Sequence, residues 1–172
     1  SLRSLDPDVI YLGTFSKTIA PGLRVGWVAA PDDMVDLFRM AKEGNDISTP
    51  RMMTRVVYHT AEGFLDNHVE RVNEIYRARR QVLLERLAAE MPSEFSWSRP
   101  AGGFFVWMTV PESIDTVELL PEAARNGVIY LPGTGFYATP SPEGRRTLRL
   151  NFSALTEDRI REGVTRLASV LR

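Results

Sequence analysis

The chain has 172 residues, 44% of them hydrophobic and 25% charged, which is ordinary for a globular protein long enough for one domain and a piece of another. A formal net charge of −1 gives no electrostatic basis for binding nucleic acid or a membrane surface. The absence of cysteine excludes disulfides and thiolate metal sites, and with no apolar run of membrane-spanning length we expect a cytoplasmic protein.

The first 45 residues predict two strands and a helix. Val9–Gly13 and Val25–Ala30 are short apolar runs typical of buried strands, and Pro31 closes the second. Residues 31–44 predict a helix, because two acids lie in its first turn and Gly44 fits its end. A polar break follows up to Pro50.

The middle of the chain predicts long helices. From Arg51 to Met91 the pattern is almost continuously helical, with Gly63 as the one interruption. An apolar stripe at helical spacing predicts core packing; it consists of Val69, Val72, Ile75, Tyr76, Leu83, Leu84 and Leu87.

The remainder predicts a small α/β unit. We expect strands at Phe104–Val110, Val128–Leu131 and Thr147–Phe152, and a short helix at Thr116–Arg125 that Asn126-Gly127 would end. A last helix begins after Thr156. One apolar face of that helix comprises Ile160, Val164, Leu167 and Leu171. The two histidines, His59 and His68, lack ligand spacing, so no metal site is expected.

The segment between the first two strands contains the candidate chemistry. Lys17 lies between hydroxyl residues and is followed by a Pro-Gly turn and Arg24. A lysine at the end of a buried strand, near a guanidinium, is poorly solvated, and both effects favour a nucleophilic amine. Thr14, Ser16 and Arg24 can bind a phosphate beside it. These are the requirements of a pyridoxal 5'-phosphate (PLP) Schiff base, although a solvated loop lysine with a surface arginine is the alternative.

The stretch from Tyr11 to Trp27 resembles the cofactor-lysine segment of fold-type I, class I/II PLP-dependent aminotransferases. It is most similar to the branch that holds 2-aminoadipate and kynurenine aminotransferases and the aminotransferase-like half of MocR-type regulators. The similarity continues, in the family's order, through Arg99–Trp107, Gly127–Gly133 and Thr147–Ser153.

The resemblance implies an α/β fold in three parts. Residues 1–45 would be the end of the PLP-binding large domain, 46–91 the long connecting helices, and 92–172 the small C-terminal domain. Family members are well over twice this length, so most of the large domain would lie upstream. The acid that pairs with the pyridine nitrogen and the ring that stacks on the cofactor would lie there too, so we expect the fragment alone to be inactive and to bind PLP weakly.

The resemblance also implies roles for single residues. Lys17 would form the Schiff base and move the substrate proton, while Thr14, Ser16 and Arg24 would bind the cofactor phosphate. Thr14 stands where the family often has serine. The Gly102-Gly103 and Pro132–Gly135 segments look like loops near the substrate, although tight turns alone explain the same residues.

Arg149 would bind the α-carboxylate of the substrate. It alternates with Leu148 and Leu150, so it points to the opposite face of its strand. A surface arginine beside Arg145 and Arg146 is the alternative.

These expectations favour an aminotransferase that moves an amino group from an α-amino acid to a 2-oxo acid and acts as a homodimer. The effector domain of a MocR-type transcription regulator is the second hypothesis, and a PLP lyase or decarboxylase is the third. We expect no membrane contact and no direct nucleic-acid contact from this segment.

Overall fold

All of residues 1–172 are described by a computed structural model, in which the chain divides into the units Ser1–Arg71 and Val72–Arg172. The division falls inside the longest helix, so that helix contributes to both units. The finer division at residues 45 and 91 stays a prediction. None of the helices is both long and apolar enough to cross a membrane.

The first unit is a hairpin followed by helices. Strands β1 (Tyr11–Thr14) and β2 (Gly26–Ala29) pair antiparallel, from Tyr11 opposite Ala29 to Thr14 opposite Gly26. Helices α1 (Asp32–Asp46) and α2 (Arg51–Ala61) follow, and α3 (Leu65–Glu90) begins in this unit. The predicted order of strand, turn, strand and helices is therefore confirmed.

The burial predicted for the two strands is wrong in this structure. Tyr11 is 39% exposed, Leu12 71% and Trp27 43%. The reason is that β1 and β2 form a sheet of only two strands, which cannot cover both of its own faces. Lys17, at the turn between them, is exposed as well, so the expected desolvation of its amine is also wrong here.

The predicted helix end at Gly44 is wrong, because α1 continues to Asp46. The side chain of Lys42 donates to Asp46 across the last turn at 2.8 Å and stabilises it. The helix ends at Ile47, because the φ of 62° at this residue is incompatible with a right-handed α-helix. The predicted interruption at Gly63 is confirmed, with a φ of 74° between α2 and α3.

The second unit contains an antiparallel sheet of four strands in the order β3-β4-β6-β5. The strands are β3 (Ser96–Trp97), β4 (Phe105–Thr109), β5 (Leu131–Pro132) and β6 (Thr147–Asn151). Three further helices complete the unit: α4 (Leu120–Arg125), α5 (Pro142–Arg145) and α6 (Glu157–Leu171).

The core of this unit lies on one face of the sheet. The C-terminal half of α3 and the apolar face of α6 pack there against alternate residues of β4 and β6, such as Met108 and Leu148, both fully buried. The predicted face of α6 is confirmed. The predicted stripe on α3 is right only from Tyr76 onward, since Ile75 is 39% exposed.

Two boundaries in the second unit differ from expectation by more than one residue. The helix predicted from Thr116 begins at Leu120, because the buried Thr116 hydroxyl instead donates to the carbonyl of Thr147 at 3.0 Å. The strand predicted from Val128 begins at Leu131, because the Val128 amide still donates to Ala123 at the end of α4. The small α/β domain itself is confirmed.

Candidate active site

The turn between β1 and β2 places four of the predicted site residues on one loop. The loop is closed by the Phe15 amide, which donates to the Val25 carbonyl at 3.1 Å. Within it, the amides of Ile19 and Ala20 both donate to the Phe15 carbonyl, at 2.9 and 3.2 Å. Lys17 lies inside this hydrogen-bonded turn with its side chain exposed. The turn therefore fixes the backbone of Lys17 and leaves its amine free.

The two hydroxyl residues before Lys17 are linked by a local hydrogen bond. The Thr14 hydroxyl oxygen accepts from the Ser16 amide at 3.1 Å. Such a bond is a typical turn contact of threonine and holds both residues at the end of β1. The bond fixes the Thr14 hydroxyl against the backbone of Ser16.

Arg24 re-enters the hairpin on the other side of the loop. It has a left-handed backbone with φ 52°, which costs a non-glycine residue about 1–2 kcal/mol. Its guanidinium donates to the Pro21 carbonyl at 3.1 Å. None of the ion pairs of the chain involves Arg24 or Lys17. Both cations are therefore available to an anionic ligand.

The donor set of this loop fits a phosphorylated aldehyde. A primary amine is the group that condenses with an aldehyde, and hydroxyls with a guanidinium are the donors that bind a phosphate dianion. The loop supplies these groups within the eleven residues from Thr14 to Arg24. The residues present thus fit PLP, the cofactor that the sequence predicted.

Arg149 lies on the sheet of the second unit, on the face opposite the core. Leu148 and Leu150 on either side of it are 0% and 8% exposed, as the predicted alternation requires. Its guanidinium carbon lies 3.8 Å from the ring centre of Phe105 and 4.6 Å from that of Phe136. The distances define a cation–π contact on two rings.

The neighbouring arginines differ from Arg149 because acids neutralise them. Arg145 pairs with Asp115 and Glu118, and Arg146 pairs with Glu112 at 2.7 Å. No acid of the chain pairs with Arg149. Two of the three arginines are therefore ion-paired and Arg149 is not, and its binding role stays a prediction.

Asp115 holds the segment before α4 in place. Its carboxylate accepts from the amides of Val117 and Glu118, at 2.9 and 3.2 Å, and from Arg145. Burial raises the pKa of this carboxyl, but those hydrogen bonds outweigh it, so the pKa lies below its ordinary value. Nearby, burial and the charge of Asp115 raise the pKa of Tyr130 to about 12, which keeps that phenol a neutral donor.

The two predicted glycine loops are tight turns. Gly103 has a φ of 82°, and Arg80 on α3 donates to the carbonyls of Pro100 and Ala101, at 2.9 and 2.8 Å, just before it. Gly133 opens a 3-10 turn, Gly133–Phe136, that brings Phe136 beside Arg149. The proximity of these loops to a substrate stays a prediction.

Sequence reasoning missed the aromatic surroundings of Arg149. The sequence could have predicted the contact with Phe105. Trp107 pairs with Arg149 across the strands, and Phe105 lies two residues before Trp107 on the same face of β4. Phe136 gave no comparable signal, because only the 3-10 turn brings it there.

The loop from Thr14 to Arg24, with its amine, hydroxyls and guanidinium, and the small α/β unit agree with the resemblance to PLP-dependent aminotransferases. The family model for aminotransferase class I and II matches residues 3–167, and the chain belongs to that family.

Individual relatives agree with this membership. The chain is 42% identical to aromatic-amino-acid aminotransferase 1 of Thermococcus litoralis over 95% of its own length and 39% of that relative's. It is 36% identical to LysN, the alpha-aminoadipate aminotransferase of Thermus thermophilus, with a TM-score of 0.92 over 99% of this chain and 44% of that one. It is also 32% identical to the HTH-type transcriptional regulator TauR of Rhodobacter capsulatus, over 100% of this chain and 36% of the regulator.

The chain thus spans about two fifths of the length of the aminotransferases that it matches. The structure of LysN holds N-(5'-phosphopyridoxyl)-L-leucine, a cofactor–amino acid conjugate. The family and this ligand together indicate that the cofactor is PLP.

Proposed function

We propose that the protein containing this chain is a PLP-dependent aminotransferase that transfers the amino group of an α-amino acid to a 2-oxo acid. The observation that supports this most directly is the loop from Thr14 to Arg24, which combines a free lysine amine with an unpaired guanidinium. PLP, when bound, withdraws electrons from the α-carbon of an amino acid and so acidifies its proton.

In this proposal Lys17 has two roles. Its amine attaches the cofactor covalently in the absence of substrate. With an amino acid bound, the same amine would hold and move the proton of the α-carbon, which is general acid–base catalysis. The lack of an ion-pair partner supports both roles, because no protein carboxylate competes for Lys17.

Thr14, Ser16 and Arg24 bind the phosphate of the cofactor in this proposal. The hydrogen bond from the Ser16 amide restrains the Thr14 hydroxyl, so that side chain has less conformational freedom to lose on binding. Arg24 keeps four of its five N–H donors without a hydrogen-bond partner in the protein, and its planar fork matches phosphate oxygens.

Arg149 binds the α-carboxylate of the amino acid, and later of the 2-oxo acid, with its N–H fork. Its lack of an acidic partner supports this assignment, because Arg145 and Arg146 on the same segment are both ion-paired.

The protein acts as a homodimer in the cytoplasm in this proposal. Apolar side chains exposed on β1 and β2 support association with further protein, since Leu12 is 71% and Val28 47% exposed. The cysteine-free composition agrees with a reducing compartment.

The second candidate is the effector domain of a MocR-type regulator, and the similarity to TauR over the whole chain favours it. The two differ in turnover. An aminotransferase mixed with an amino acid and a 2-oxo acid converts them catalytically into a new amino acid and a new 2-oxo acid. A sensor binds the amino acid without turnover.

The proposal is tested by screening amino acids against the PLP-loaded protein. Cofactor absorbance and chromatography of the keto acid products monitor the reaction. The proposed aminotransferase gives equal amounts of new amino acid and new 2-oxo acid. Release of carbon dioxide or ammonia instead would identify a decarboxylase or lyase and contradict it. Lys17→Ala should abolish turnover, while Lys42→Ala, which removes a lysine paired with Asp46, should not.

A further inference from the structure

The surroundings of Arg149 are aromatic rather than acidic. Its guanidinium carbon lies above Phe105 at 3.8 Å and above Phe136 at 4.6 Å. Trp107 meets Phe136 edge to face, with ring centres 5.3 Å apart and planes at 90°. All four side chains belong to β4, β6 and the 3-10 turn of one unit.

This arrangement restrains the cation without occupying its hydrogen-bond donors. An arginine side chain has several rotatable bonds, and fixing them on ligand binding costs free energy. A carboxylate partner would restrain the guanidinium but would occupy its N–H fork. Aromatic faces attract the cation through its flat surface, which leaves the N–H groups at its edge available.

We propose that Phe105 and Phe136 are positioning residues, an aromatic clamp that aims the N–H fork of Arg149 at the α-carboxylate of the substrate, with Trp107 fixing the ring of Phe136. This inference rests on the proposed function for the identity of the carboxylate. Since every α-amino acid has the same carboxylate, the clamp contributes equally to the binding of all of them.

The competing role for the two rings is a pocket for the substrate side chain. Rings that contact the side chain change the preference between amino acids when they are replaced. Rings that aim Arg149 raise KM for all amino acids by one factor and leave kcat nearly unchanged, because the carboxylate contact is the same in the ground state and the transition state. The two roles therefore give different kinetic patterns.

The test compares Phe105→Leu and Phe136→Leu with the conservative Phe136→Tyr. The two phenylalanines are 38% and 48% exposed, so leucine leaves no buried cavity at either position. Phe64→Leu is the matched control, because Phe64 is 46% exposed like the clamp rings, stacks on His68 and makes no cation–π contact with Arg149. Each leucine variant of the clamp should raise KM about three- to tenfold for leucine, phenylalanine and glutamate alike. Phe136→Tyr should stay within about twofold of wild type, because it keeps the ring face.

A binding measurement separates the clamp from the proposed activity. Calorimetric titration of the PLP-loaded protein with 4-methylpentanoate and 3-phenylpropionate, carboxylates without an amino group, requires no turnover. The clamp predicts that both affinities fall by the same factor in Phe136→Leu, and that Arg149→Lys weakens both at least as much. If the wild type binds both acids and the variants lose affinity as predicted, but no amino group is transferred, the proposed function fails and the clamp stands.

Three results would overturn the clamp. The first is a change of preference between amino acids in the leucine variants. The second is an equal loss of affinity in the Phe64→Leu control. The third is a wild type that binds neither carboxylate.

Discussion

Replacing Gly133 with alanine should destabilise the second unit, because the new methyl group has no room. An alanine Cβ at this position would lie 1.8 Å from the hydroxyl oxygen of Thr147, 2.9 Å from its Cβ and 3.0 Å from the carbonyl oxygen of Gly144. The Thr147 hydroxyl cannot simply turn away, since it donates to the carbonyls of Glu143 and Gly144, at 3.1 and 3.2 Å. Overpacking of this kind costs about 1–3 kcal/mol.

Gly135, two residues further along the same 3-10 turn, provides the matched control. An alanine Cβ there has no neighbour within 4 Å, and Gly135 does not have a positive φ. Alanine at such a position reduces the freedom of the unfolded chain, so Gly135→Ala should be neutral or stabilising by up to about 1 kcal/mol. The two substitutions are chemically identical, so only the local packing distinguishes them.

Urea unfolding followed by the fluorescence of Trp97 and Trp107, which belong to this unit, measures both effects. Thr147→Ala should relieve part of the cost of Gly133→Ala, because it removes the hydroxyl but leaves its Cβ at 2.9 Å. Gly133→Ala should also raise KM, since it displaces the turn that holds Phe136 beside Arg149. A Gly133→Ala protein within about 0.5 kcal/mol of wild type, or a Gly135→Ala protein equally destabilised, would refute the packing argument.

Three further predictions concern single charges. Sodium borohydride should attach PLP irreversibly to Lys17 of the wild-type protein and should attach none to the Lys17→Ala variant. Attachment to another lysine, located by peptide mass mapping, would contradict the assignment. Arg24→Ala should weaken PLP retention in dialysis by on the order of 1.5–3 kcal/mol, whereas Arg149→Ala should raise KM and keep its PLP; equal loss of PLP from both would disprove the division of roles. Asp115→Asn should cost about 1 kcal/mol in urea unfolding at pH 7. Because folding lowers the pKa of Asp115, that cost should shrink as the pH falls below 3.8, and a cost independent of pH would show that the charge is not responsible.

The secondary structure followed from local pattern wherever one face of an element is buried within its own unit. The face of α6 was predictable because Ile160, Val164 and Leu167 recur at helical spacing against a real core. The strands of the first hairpin were placed correctly but given the wrong burial, because the same apolar pattern is expected whether or not further strands cover them. The extension of α1 past Gly44 depended on a side-chain pair, Lys42 with Asp46, that a glycine rule ignores.

The candidate site could be proposed from the sequence to the extent that its residues are close together in the chain, and their roles stay predictions. Thr14, Ser16, Lys17 and Arg24 lie on one loop, so a motif identifies them together. The environment of Arg149 was not predictable, because it depends on strand register and on a 3-10 turn thirteen residues earlier. The ion pairs of Arg145 and Arg146 were not predictable either, because their acidic partners are distant in sequence.

The ion pairs of Arg145 and Arg146 affect how the proposed carboxylate site at Arg149 would respond to salt. Three acids, Asp115, Glu118 and Glu112, surround Arg145 and Arg146, so the segment before Arg149 has no positive surplus of its own. Along this segment an approaching carboxylate would therefore meet the single unpaired cation of Arg149 rather than a basic patch, and long-range steering by the segment would contribute little to its capture. Substrate affinity should consequently vary only weakly with ionic strength, since the contact with Arg149 is much shorter than the Debye length of about 8 Å at physiological salt.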